Sequence, residues 1–172
     1  MSGGIPAAAK NSSGRDTVII DALRDGDDFE RLFDGGGTLP LKVTGTSMLP
    51  LLHPGRSGVI LEGIDGDRAK RGDILLFRRE NGAFVLHRVR KCLPDGRLLM
   101  NGDAQNWCEI ISRERVVAVV RKIDSCGKIH DAEGLLLRLY RFFWTPTYAA
   151  RPVILRAAIG LKRIFVRNRK RN

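Results

Sequence analysis

The sequence predicts a mainly β domain, a compact, curled antiparallel sheet or partly open barrel, with a short helical segment before it and a basic helical pair after it. Three observations predict this. Between residues 39 and 124, short runs rich in Val, Ile and Leu recur, each bounded by turn chemistry such as Asp65-Gly66, Arg71-Gly72, Asn81-Gly82 and Asp95-Gly96. On both sides of that region the apolar residues recur instead at helical spacing. Charge divides near the second border: of a formal +11, residues 134–172 hold ten Lys or Arg and no Asp or Glu, so residues 1–133 are almost neutral.

Residues 1–15 are small and polar, so disorder is expected there and no signal peptide is recognised. In 16–38, Val18-Ile19-Ile20, Ala22-Leu23, Phe29 and Leu32-Phe33 fit one broken helix or two short ones, interrupted at Gly26 and ended by Gly35-Gly36-Gly37. That segment is too short for a helix-turn-helix DNA-binding domain. Expected strands are Leu39 to Thr44, Gly58 to Glu62, Asp73 to Arg79, Ala83 to Lys91, Arg97 to Asn101 and Val116 to Ile123. Asn81-Gly82 and Asp95-Gly96 are the strongest hairpin signals. Many short strands at this spacing favour an antiparallel architecture over a βαβ one.

After Asp124 the pattern changes. Leu135 to Trp144 and Val153 to Val166 form two apolar, arginine-studded segments separated by Pro146 and Pro152, which predicts two amphipathic helices in 125–172. Large apolar residues beside cations fit helices lying in an anionic membrane surface, and the terminal Arg167 to Arg171 cluster adds to that attraction. The competing reading is a helical hairpin packed on the sheet with a solvated basic tail. Specific nucleic-acid binding is not expected from a chain whose body is neutral. No uncharged apolar run of about 18 residues is present, so the expectation is a cytoplasmic protein, peripheral on a membrane at most. Cys92, Cys108 and Cys126 are odd in number and lack metal-ligand spacing, so reduced thiols are expected, with no metal and no cofactor.

The chemistry gathers at Thr44-Gly45-Thr46-Ser47-Met48-Leu49-Pro50, where a strand pattern stops. Gly45 permits a tight turn and Pro50 prevents a following strand from pairing fully, which leaves Ser47 at a strand end. A turn serine serving as a cap has the same local appearance. To act as a nucleophile Ser47 needs a base. His53 and His130 read as surface residues, whereas alternation along Phe84 to Val89 places His87 on the packed face with Val85 and Val89. Asp103 closes the strand ending in Met100-Asn101-Gly102, a position from which a carboxylate can hold an imidazole tautomer. The spacing by itself does not bring these three together.

Four stretches, Thr44 to Pro50, Lys70-Arg71-Gly72-Asp73-Ile74, Leu86-His87-Arg88-Val89 and Asn101-Gly102-Asp103, resemble in order and separation the boxes of the type I signal peptidase and LexA-like serine peptidase superfamily. The resemblance covers about residues 39–124. It implies a serine endopeptidase acting on a peptide or preprotein, with Ser47 as nucleophile. Many bacterial members use a lysine base; His87 in that box resembles the archaeal and endoplasmic reticulum branch, which implies His87 as base and Asp103 as its orienting acid. Gly45, Thr46 and Met48 would then support the oxyanion, and a second acid used by some members falls on Glu109. The membrane anchor that usually precedes the serine is not recognised here, and Ala104 stands where asparagine often follows the Gly-Asp box. A non-catalytic module on the same fold, binding membrane or nucleic acid through its tail, is the competing function; convergence of Ser47, His87 and Asp103 separates the two.

Overall fold

The computed structural model describes residue 33, residues 37–125 and 127–148, and residues 150, 151, 153, 154 and 157. The disorder expected in 1–15, almost all of the helical segment expected in 16–38, and most of the second C-terminal helix lie outside these residues.

Eight strands form one antiparallel sheet: β1 (Thr38–Lys42), β2 (Ser57–Gly63), β3 (Ile74–Arg78), β4 (Phe84–Cys92), β5 (Leu98–Asn101), β6 (Glu109–Ile111), β7 (Val116–Ser125) and β8 (Lys128–Asp131). The order is β1-β2-β7-β3-β4-β5-β6, with β8 paired to the far end of β7. A mainly β, antiparallel architecture is therefore correct. Six strands lie where short apolar runs bounded by turn residues predicted them; β6 and β8, of three and four residues, were not predicted.

The two strongest turn signals close the hairpins β3-β4 and β4-β5 in the same way. Arg79 N–H donates to Ala83 O (2.8 Å) and Gly82 N–H to Arg79 O (2.9 Å), while Leu93 N–H donates to Arg97 O (2.8 Å) and Gly96 N–H to Leu93 O (3.0 Å). Gly82 and Gly96 have φ of 80° and 85°, the left-handed conformation that ends a three-residue hairpin loop and that glycine adopts at least cost.

The sheet buries both faces. Val43, Met48, Leu52, Leu61, Leu76, Leu86 and Val120 belong to one apolar cluster, and Leu75, Phe77, Val85, Val89, Leu98, Met100 and Val119 to another. This is why β3 reads as an unbroken apolar run, Ile74 to Phe77, instead of an alternating one. The β4-β5 register shifts between Val89 and Lys91, a bulge at Arg90 of the kind that re-aims a side chain.

After β8, α1 (Leu135–Trp144) runs back against the sheet, and helical backbone resumes at Arg151. No helix among the described residues is long and apolar enough to cross a membrane.

Candidate active site

Ser47 sits in a turn pinned from both sides. Met48 and Leu52 are buried in the core, and Leu52 N–H donates to Met48 O (2.9 Å) while Leu49 N–H donates to Thr46 O (3.1 Å). The Ser47 carbonyl accepts the Ala104 N–H at 2.8 Å. Gly102 makes that approach possible, since a Cβ there would lie 2.7 Å from Ser47 O and 2.5 Å from Gln105 Oε1. Ser47 is buried, at 2% exposure. Of the residues expected to support an oxyanion, Gly45 is buried, Met48 is a core anchor, and Thr46 is exposed with its carbonyl closing the turn. The N–H groups of Ser47 and Met48 have no hydrogen-bond partner among the described residues, unlike that of Leu49.

His87 is fully buried on β4, as its parity predicted, between Phe77 and Trp107, whose rings lie 6.1 Å from the imidazole. Its Nδ1 is 2.8 Å from Glu109 Oε1. Arg79 grips the same carboxylate with two donors, Nε to Oε2 and Nη2 to Oε1, each at 2.7 Å. Burial alone would raise the Glu109 carboxyl, but the hydrogen bonds and charges of His87 and Arg79 more than offset it and hold the group down at about 2. An ionised Glu109 can only accept, so in the neutral imidazole the proton lies on Nδ1 and Nε2 carries the lone pair. That Nε2 is buried and has no hydrogen-bond partner among the described residues.

Asp103 does not orient His87. Successive side chains on a strand face opposite ways, and Asp103 lies on the face reached by Arg88, one residue beyond the histidine. Arg88 donates to it twice, Nε to Oδ1 at 2.9 Å and Nη2 to Oδ2 at 2.7 Å. Burial works against the Arg88 charge, but Asp103 outweighs it and Arg88 holds its proton more tightly than usual. Tyr140 Oη also donates to Asp103 Oδ2 (3.2 Å), and Trp144 Nε1 to Asp103 O (2.8 Å). Burial and the neighbouring carboxylate push the Tyr140 phenol well above its ordinary range, so it stays a donor. Asp103 is thus the anchor of α1, and Glu109, carried to the resemblance only as a possible second acid, is the partner of the histidine.

No hydrogen bond joins Ser47 and His87 among the described residues: the serine turn packs through Met48 with Leu76 and Leu86, whereas His87 lies beside Phe77 of the other cluster. The β4-β5 ladder ends at Arg88↔Asn101, and the residue after it, Gly102, is the one against which the Ser47 carbonyl rests. His53 is exposed and His130 partly so, as expected of surface residues. Sequence reasoning missed Arg79 and Trp107. The β3-β4 register, Leu75↔His87 and Phe77↔Val85, puts Arg79 on the face of His87, but nothing in the sequence pattern gives its reach to Glu109 of β6.

No family model, no curated protein and no solved structure matches this chain.

Proposed function

We propose that the chain is a serine endopeptidase of the signal peptidase type, on the corresponding curled-sheet fold, cleaving a peptide or preprotein with Ser47 as nucleophile, His87 as general base and Glu109 as the group that orients it. One observation carries the reading: a fully buried histidine whose Nδ1 is committed to an ionised carboxylate and whose Nε2 has no partner among the described residues.

The chemistry follows. Oγ of Ser47 attacks the scissile carbonyl as Nε2 of His87 takes its proton; the imidazolium that forms is stabilised by Glu109, itself held by Arg79. The C–O bond forms as the carbonyl π pair moves to oxygen, and the N–H groups of Ser47 and Met48 are the donors available to that oxyanion. Collapse breaks the C–N bond, the amine leaves with the proton from His87, and water repeats the sequence on the acyl-enzyme. β6, which begins at Glu109, is an edge strand, so an extended substrate can add to it through main-chain hydrogen bonds.

The test is acylation by a reactive peptidyl probe, followed by intact mass, on wild type, Ser47→Ala and His87→Ala. The expected result is one adduct on wild type and none on either variant. An adduct that persists in folded Ser47→Ala removes the serine assignment, and no adduct on any folded protein favours the non-catalytic module.

A further inference from the structure

α1 is apolar on the side that faces away from the body. Tyr140 and Trp144 make the hydrogen bonds to Asp103, and Leu137 packs against the core, whereas Leu135, Leu136, Leu139, Phe142 and Phe143 are 72%, 63%, 47%, 73% and 70% exposed. So much contiguous exposed apolar surface marks an interaction site.

Beside this face lies a cleft of about 1170 Å³ between α1 and the strands β4 and β5. Arg88, Arg90, Lys91, Arg138, Arg141 and Arg151 line it, and so do Leu135, Leu139, Phe142 and Phe143 of the apolar face. Asp103 is the one carboxylate among the described residues of that lining, and Arg88 already occupies both of its oxygens. Nη1 of Arg90 and Nε of Arg151 are buried with no hydrogen-bond partner among the described residues, although Nη1 and Nη2 of Arg151 already donate to Asn101 Oδ1, Gly102 O, Gln105 O and Trp144 O, and Arg90 stacks over Tyr148. Charged donors withdrawn from water and left unpaired are costly, and an anion with several acceptor oxygens relieves that cost.

We propose that this face docks on an anionic phospholipid bilayer, with a headgroup phosphate seated among the arginines of the cleft and Leu135, Leu136, Leu139, Phe142 and Phe143 entering the acyl boundary. The combination selects the occupant. A free phosphate satisfies the cleft but leaves the aliphatic face in water, and nucleic acid gives those leucines nothing apolar to enter; a phospholipid presents both chemistries at the right adjacency. The sequence beyond the helix supplies further charge of the same sign, Arg167 to Arg171 included, with no acidic residue to oppose it. The proposal does not depend on the peptidase reading, because it uses none of Ser47, His87 or Glu109.

The experiment is vesicle sedimentation of the full chain with phosphatidylcholine alone and with phosphatidylcholine mixed with phosphatidylglycerol, for wild type, Phe142→Ser/Phe143→Ser and Arg138→Glu. All three substituted side chains are exposed, so folding, checked by circular dichroism, is retained. The expected result is binding to the mixed vesicles only, weakened at least tenfold in the phenylalanine variant and at least about fivefold in Arg138→Glu, the effect of one cation near a charged surface. Binding that is the same for both lipids, or unchanged in both variants, overturns the proposal. So does binding of glycerol phosphate or of an oligonucleotide without vesicle binding, which would make the cleft a site for a soluble anion or for nucleic acid.

Discussion

Replacing Glu109 by glutamine separates the two carboxylates that the sequence offered to the histidine. The carboxylate uses Oε1 for both His87 Nδ1 and Arg79 Nη2, and Oε2 for Arg79 Nε. A carboxamide of the same shape cannot reproduce this. With its oxygen at the Oε1 position, its NH2 meets the Arg79 Nε–H, donor against donor, and the imidazolium formed in the reaction faces no counter-charge. Turned over, its NH2 meets Nδ1 and favours the tautomer that puts the proton on Nε2, where the base is needed. Either way the expected loss is in kcat, by roughly 10² to 10⁴-fold, the range typical of positioned acid–base catalysis, with KM little changed. The assay is steady-state hydrolysis of a short peptide, or single-turnover acylation by the probe, alongside Asp103→Asn. The latter should behave differently: it leaves Arg88 buried beside a neutral partner and frees the anchor of α1, so it costs about 3–5 kcal/mol of stability in urea unfolding, while the folded fraction still acylates. A folded Glu109→Gln with wild-type kcat, paired with a folded Asp103→Asn that is inert, would refute the assignment and return the orienting role to Asp103.

Two further outcomes are expected. Because Glu109 titrates at about 2 in the folded chain against an ordinary 4.5, its contribution is fully present above pH 4.5 and is lost as pH falls from 4.5 toward 2; the difference is worth about 3 kcal/mol, and an equally steep loss in Glu109→Gln would contradict it. Gly102→Ala forces a methyl to 2.7 Å from the Ser47 carbonyl, a backbone atom that can yield only by moving the turn, so probe labelling should fall at least tenfold for a stability cost of about 1–3 kcal/mol in denaturant titration; unchanged labelling would show that the turn has room to spare.

How far the sequence reached depended on whether a property was local. The hairpin glycines at 82 and 96, the inward parity of His87 and the apolar run of α1 all depend on neighbours within a few residues, and each was legible. The acid was not. Asp103 and Glu109 both follow β5 closely, and choosing between them needs to know that the chain after Gly102 passes on the Arg88 side while Glu109 returns as a new strand against Met100. That strand, Glu109–Ile111, is too short to show alternation. Arg79 was equally hidden, because its partnership spans thirty positions and rests on side-chain reach, not on pattern. The cleft beside α1 was invisible for a related reason: its cations come from β4, from α1 and from Arg151, stretches whose charges look unremarkable one at a time.

The tripeptide Gly102-Asp103-Ala104 is tied on both sides. Ala104 holds the carbonyl of Ser47, while Asp103 holds Tyr140 and Trp144 of α1. These ties make the turn a mechanical joint: a pull that lifts the helix must stretch a bond to Asp103, and a shift of the serine turn must stretch the bond to Ala104. Helix and serine are separated by about half of the chain, yet along this one short lever neither can be displaced without the other registering it.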